Sequence, residues 1–210
     1  MKLTLVADGS SDRALIPLLR WLLERRSTEV FETAWADLRR LQNPPKGLRA
    51  RIDAALDLHP CDVLVVHRDA ERDDPSLRVQ EIARATAGLK TPVATAIPVR
   101  MTEAWLLFNE PAIRLAVGCP NGTTPLGLPP LKKLEALPDP KELLYSVMRE
   151  VCGLKGRRRQ EFSPNIHRVA ELIDDFSPLL DLPSFRALDE SLCEALRQLG
   201  ILLPSSEAEP

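Results

Sequence analysis

Apolar residues fall into two alternating patterns over the first hundred positions. Short unbroken apolar runs are each followed by a polar turn, then by a stretch with apolar residues three or four apart. The run Leu3 to Ala7 stops at Asp8-Gly9-Ser10-Ser11-Asp12, which predicts a buried parallel strand and a turn. Leu15, Ile16, Leu18, Leu19, Leu22 and Leu23 then predict a helix, capped by Ser10 or Ser11 and closed by Arg25 and Arg26. Val30 to Ala36 predicts a second strand, and Leu48, Ile52, Ala55 and Leu56 a second helix beyond the Pro44, Pro45, Gly47 loop. Asp62 to Val66 carries the strongest strand signal. Pro75 opens a helix over 76–89, Val93 to Val99 predicts a fourth strand, and Met101 to Phe108 a further helix.

This order, strand and helix in turn, predicts an α/β fold: a mostly parallel, Rossmann-like four-stranded sheet with helices on both faces. Residues 1–117 form that core. Residues 118–140 hold six prolines and three glycines and read as a loop or lid. Residues 141–203 carry three helical patterns (141–152, 165–176 and 185–199), expected as a C-terminal helical extension packed on the core. Residues 204–210 read as a flexible tail.

Net charge is -2, so no global basic field announces a nucleic-acid partner. A local patch is needed, and Lys155, Arg157, Arg158 and Arg159 around Gly156 supply a candidate for phosphate contacts. Cys61, Cys119, Cys152 and Cys193 form no close pair, which predicts reduced thiols and a cytoplasmic protein. No signal-peptide pattern opens the chain, and no apolar stretch approaches the roughly 20 residues that span a bilayer, so no membrane partner is expected.

Two strand-to-helix loops are unusually acidic. The first strand ends at Asp8, with Asp12 shortly after, and the third ends at Asp69, Glu71 and Asp73. Loops at the carboxyl ends of parallel strands form the binding crevice of such folds. Neighbouring first and third strands would bring Asp8 and Asp69 to a shared point, and an extended Asp69-x-Glu71-x-Asp73 would throw three carboxylates to one side. Carboxylates so gathered repel one another unless a cation sits between them, and Mg²⁺ (or Mn²⁺) suits hard oxygen ligands. Glu103, after the fourth strand, faces the same crevice or is an exposed first-turn residue. Asp12 supports the site or caps the first helix. His67 and Arg68 abut the acids, and either pairs with a carboxylate or touches substrate; Arg68 is counted with the phosphate-binding set. Trp105 reads as core.

The segments Asp8-Gly9-Ser10-Ser11-Asp12 and Asp69-Ala70-Glu71 resemble the Toprim superfamily, over about residues 1–108. Ile97 to Leu107 (IPVRMTEAWLL) is similar to small stand-alone Toprim-like proteins of the DUF4276 type. The resemblance implies a Mg²⁺-dependent nuclease cleaving phosphodiesters in DNA or RNA, in a defence or repair system. It implies that Asp69 and Glu71 hold the metal, that Asp8 is a ligand or general acid/base, and that Asp73 and Glu103 are further ligands. Asp8 stands where the family has Glu, and Glu71 where it has Asp. Those replacements favour an alternative: a catalytically weak or inactive Toprim-like module, with an ABC-type ATPase as partner by resemblance. A receiver-like fold would need a Lys after a fifth strand, and no such strand is apparent.

Overall fold

The computed structural model describes residues 1–71, 73–153, 156–157 and 161–204. Four strands, β1 (Lys2–Val6), β2 (Glu32–Trp35), β3 (Val63–His67) and β4 (Val93–Ala96), form one parallel sheet in the order β2-β1-β3-β4. The helices wholly within the described residues are α1 (Leu15–Arg26), α2 (Leu48–Leu58), α3 (Pro75–Thr86), α4 (Glu110–Ala116), α5 (Pro140–Val151), α6 (Ile166–Glu171) and α7 (Pro183–Gln198). The expected α/β class and parallel sheet are what the chain adopts.

Strand alternation decides which core each residue joins. Leu3, Leu5 and Ala7 of the first strand, Val63 and Val65 of β3, and Ala94 and Ala96 of β4 face α1 and the C-terminal helices. Val6, Leu64 and Val66 face the opposite way, onto Ile52 and Ala55 of α2 and Ile82 and Ala85 of α3. The C-terminal helices share a continuous core with the sheet: Leu144, Met148, Val169, Phe185 and Leu192 belong to the same cluster as Leu3 and Val65. Trp105 is fully buried there, edge-on to Phe185 at 5.2 Å.

α7 also covers the outer edge of β4. Ser191 Oγ accepts the Thr95 amide at 2.9 Å, occupying a donor that would otherwise invite another strand. Two residues earlier the same helix is tied to α1, where Arg26 meets Asp189 through two hydrogen bonds of 2.9 and 2.6 Å.

Three predicted elements differ in detail. Met101 to Phe108 is a 3-10 turn over Thr102–Leu106; the next helix, α4, starts only after Asn109, whose side chain accepts the Ala112 amide. The 165–176 pattern yields the short α6, capped by Asn165, and then a turn. The proline-rich stretch is a loop only to Pro130, since Leu131–Ala136 winds as a 3-10 turn with Leu134 buried. Among the described residues, no helix is long and apolar enough to cross a membrane.

Candidate metal centre

The first loop does not use a serine to cap α1. Ser10 makes no side-chain cap bond. Asp12 sits in a 3-10 turn (Ser11–Ala14) that leads into the helix, and its Oδ2 turns back to accept the Gly9 amide at 2.7 Å. Ser11 donates to the other oxygen at 3.3 Å. Asp12 is therefore locked, buried, under the crevice, on the α1 side of the sheet.

β3 delivers two residues to that same side. Val63 and Val65 face α1, so His67 and Asp69 continue that parity, while Val66 and Arg68 point to the α2 and α3 side. His67 is 1% exposed. Its Nδ1 lies 3.5 Å from Asp12 Oδ2, and its Nε2 lies 3.2 Å from Asp69 Oδ1 and 3.1 Å from Thr102 Oγ1. One ligand atom from each of Asp12, His67 and Asp69 lies within 4.8 Å of the others. Glu103 lies close by, outside that group of three. It is buried, 3.4 Å from Lys141 Nζ of α5.

The electrostatics follow from this packing. Burial opposes charge on His67, but the carboxylates of Asp12 and Asp69 overcome it and raise its pKa to about 9. Burial likewise opposes ionisation of Asp12, yet His67, the Gly9 amide and the Ser11 hydroxyl together hold its pKa below the usual value. Glu103 is pushed up, first by burial and further by the charge of Asp69, against the pull of Lys141.

Three buried atoms in this cluster have no hydrogen-bond partner: His67 Nδ1, Asp69 Oδ1 and Glu103 Oε1. Each has an oppositely charged neighbour at salt-bridge distance, but without the alignment that a hydrogen bond requires. Buried polar atoms left in this way point to a bound ion or water. A divalent cation fits the donor set. Thr102 contacts Nε2 and so orients the ring. Imidazole beside carboxylates is a donor set that first-row divalent ions accept, whereas Mg²⁺ prefers oxygen alone. Thr102 is completely buried, so its contact with His67 cannot serve as a nucleophile pair facing substrate.

The remaining sequence candidates lie elsewhere. Asp8 does not meet Asp69 at a shared point. By strand parity it faces the α2 side, where Arg51 and Arg68 both donate to its carboxylate. Arg68 also pairs with Glu81 at 3.2 Å, so it is committed to acids and holds no free face for phosphate. The segment after β3 is a turn, closed by Asp73 N to Ala70 O at 2.9 Å, and not the extended run that would align three carboxylates. Glu71 sits at its apex with φ 56°, exposed and without a hydrogen bond or ion pair among the described residues. Asp73 pairs with Arg78 at 3.2 Å. Gly9 presents its amide to Asp12. Of the basic run, Arg157 is exposed and donates to Glu161 at 2.7 Å, while Lys155, Arg158 and Arg159 lie outside the described residues.

The site thus gains His67 as a member, read from the sequence only as a residue that pairs with a carboxylate or touches substrate, and Lys141 and Thr102 as supports, neither of which was placed in it from the sequence. Parity was the available signal for His67: it stands two residues before Asp69 on the same strand edge. Lys141 comes from a distant helix and carried no signal. Comparison with known protein families, with curated proteins and with solved structures returns no match to this chain.

Proposed function

We propose that this protein is a metal-dependent phosphodiesterase acting on nucleic acid, with its centre at Asp12, His67, Asp69 and Glu103. The reading rests on the resemblance to Toprim nucleases together with one observation: three unpartnered buried ligand atoms where β1 and β3 diverge. That divergence is a topological switch point, since α1 leaves to one face and α2 and α3 pack on the other.

A bound divalent ion would polarise the phosphodiester and lower the pKa of a water. Asp69, with a side chain 28% exposed, is the member that solvent and substrate reach first. Asp12 and His67 sit behind it and fix its position. Glu103, whose pKa burial raises, is suited to hold a proton at its carboxylate. Lys141 beside it can neutralise a substrate oxygen. Four free cysteines accord with a reducing, cytoplasmic setting, and a role in defence or repair follows from the resemblance alone.

A second reading has its own support. Asp8, Asp12, Asp69, Asp73 and Glu103 each already have a protein cation at contact distance. His67, charged between two carboxylates, would then replace the metal, giving a non-catalytic module that works with an ATPase partner.

The test is incubation of wild-type protein and Asp69→Asn with single-stranded and supercoiled DNA and with RNA, in Mn²⁺, in Mg²⁺ and in chelator. Cleavage by wild type in metal alone, lost in Asp69→Asn, supports the phosphodiesterase. Intact substrates in every wild-type arm, with no metal bound, favour the module.

A further inference from the structure

A polar cleft of about 500 Å³ opens beside the metal centre, and Ser10, Ser11, Lys141, Tyr145, Ser163 and His167 line it. We infer that this cleft seats one nucleotide of an unpaired nucleic-acid strand next to the bond to be cleaved; the inference rests on the phosphodiesterase reading and names its substrate class.

Four observations carry it. First, cleft and centre share walls: Ser11 donates to Asp12, and Lys141 is paired with Glu103. A group in the cleft therefore lies one side chain away from the carboxylates. Second, the lining is hydroxyl, ammonium, imidazole and amide, with no carboxylate among the described residues. That is unusual beside so acidic a centre, and it suits a phosphate and sugar. Third, His167 places a half-buried imidazole in the cleft wall, with Nδ1 turned away from solvent. Fourth, Tyr145 offers a half-buried ring, with Lys141 and Arg149 each 5.9 Å from its centroid. Aromatic surface beside cations is how proteins hold bases and backbone of single strands. A cleft of this size takes one nucleotide-sized unit. A paired base would have to leave its stack to enter, so duplex is disfavoured.

All but the two serines of the first loop come from the C-terminal helices and the connection between them. The extension thus sets substrate choice while the sheet edge holds the ion.

The experiment measures anisotropy of a labelled short single strand, its duplex and a labelled mononucleotide with the full chain, in chelator and in Mn²⁺. Two variants accompany wild type: His167→Ala, and Ser163→Trp, which fills the cleft from an exposed loop position. Mn²⁺ affinity is read by calorimetry on the same samples. The expected result is single-strand binding at least about ten-fold tighter than duplex, weakened about ten-fold or more by each variant, with Mn²⁺ affinity unchanged. Mononucleotide competition, lost in Ser163→Trp, would add support. Equal binding of strand and duplex, no strand binding by wild type, or strand binding indifferent to Ser163→Trp would overturn the cleft assignment. If Mn²⁺ still binds in those cases, the metal reading stands without the cleft. Strand binding that behaves as expected without any Mn²⁺ binding would leave the cleft and remove the metal.

Discussion

His67 and Arg68 are adjacent in sequence and serve opposite sides of the sheet edge. His67 reaches Asp12 and Asp69 on the α1 side, and Arg68 holds Asp8 on the α2 side. The peptide between them divides the acidic residues into two groups with different work: a buried cluster with unpartnered ligand atoms, and a chain of ion pairs running Arg51, Asp8, Arg68, Glu81, Arg78 and Asp73.

The division isolates the effect of a substitution at Asp8. Asp8→Asn should leave Mn²⁺ affinity within about two-fold of wild type, because Asp8 lies outside the cluster. It should cost roughly 1 kcal/mol of stability, since the two pairs it breaks, with Arg51 and Arg68, are part-exposed and screened. Calorimetric titration and urea unfolding of the same preparation check both halves.

Stability of the metal-free protein should fall on the alkaline side of neutrality. The folded pKa of His67, about 9, lies above its unfolded value of about 6.5, so folding favours the charged ring. The contribution is complete below about pH 6.5 and is lost as pH rises through about 9, a loss on the order of 3 kcal/mol. Thermal melts in chelator from acid to alkaline pH should show this slope in wild type. His67→Gln should flatten it; an equal slope in that variant would place its origin elsewhere.

Glu103→Gln should separate stability from function. Burial disfavours the carboxylate, so the neutral isostere removes a penalty from the metal-free fold, while Lys141 is exposed enough to find water. The variant is expected to melt at or above the wild-type temperature and to lose at least about ten-fold in Mn²⁺ affinity. A lower melting temperature with unchanged affinity would mark Glu103 as structural.

Asp189→Ala should destabilise the chain by about 2 kcal/mol, because it strands Arg26 at the contact between α1 and α7. The figure is below that of a wholly buried pair, since a third of the Arg26 side chain reaches solvent. Because α7 also shields β4, hydrogen exchange at the Thr95 amide should quicken in step with the unfolding measured in denaturant.

The sheet was legible because β1 and β3 are buried on both faces and so read as unbroken apolar runs. The general position of the site was legible too, from acids at the ends of neighbouring strands. Its membership was not. Spacing by two in Asp69-x-Glu71-x-Asp73 implies a shared side only if the backbone is extended, and a turn with Glu71 at positive φ intervenes. Asp8 looked like the partner of Asp69 because both follow strands, but Val6 and Asp8 have one parity and His67 and Asp69 the other. Glu103 had two readings, and its burial was settled by α5, nearly forty residues away in the chain, which no local pattern announces.

The central claim is an ion held by Asp12, His67 and Asp69, and Mn²⁺ binding tests it most directly. Low-temperature electron paramagnetic resonance of Mn²⁺ added to wild type, His67→Gln and Asp69→Asn reports both occupancy and nitrogen coordination. Wild type is expected to bind one Mn²⁺ with coupling to a histidine nitrogen, His67→Gln to lose that coupling, and Asp69→Asn to bind no ion. Free Mn²⁺ alone in wild type, or bound Mn²⁺ without nitrogen coupling, would contradict the claim.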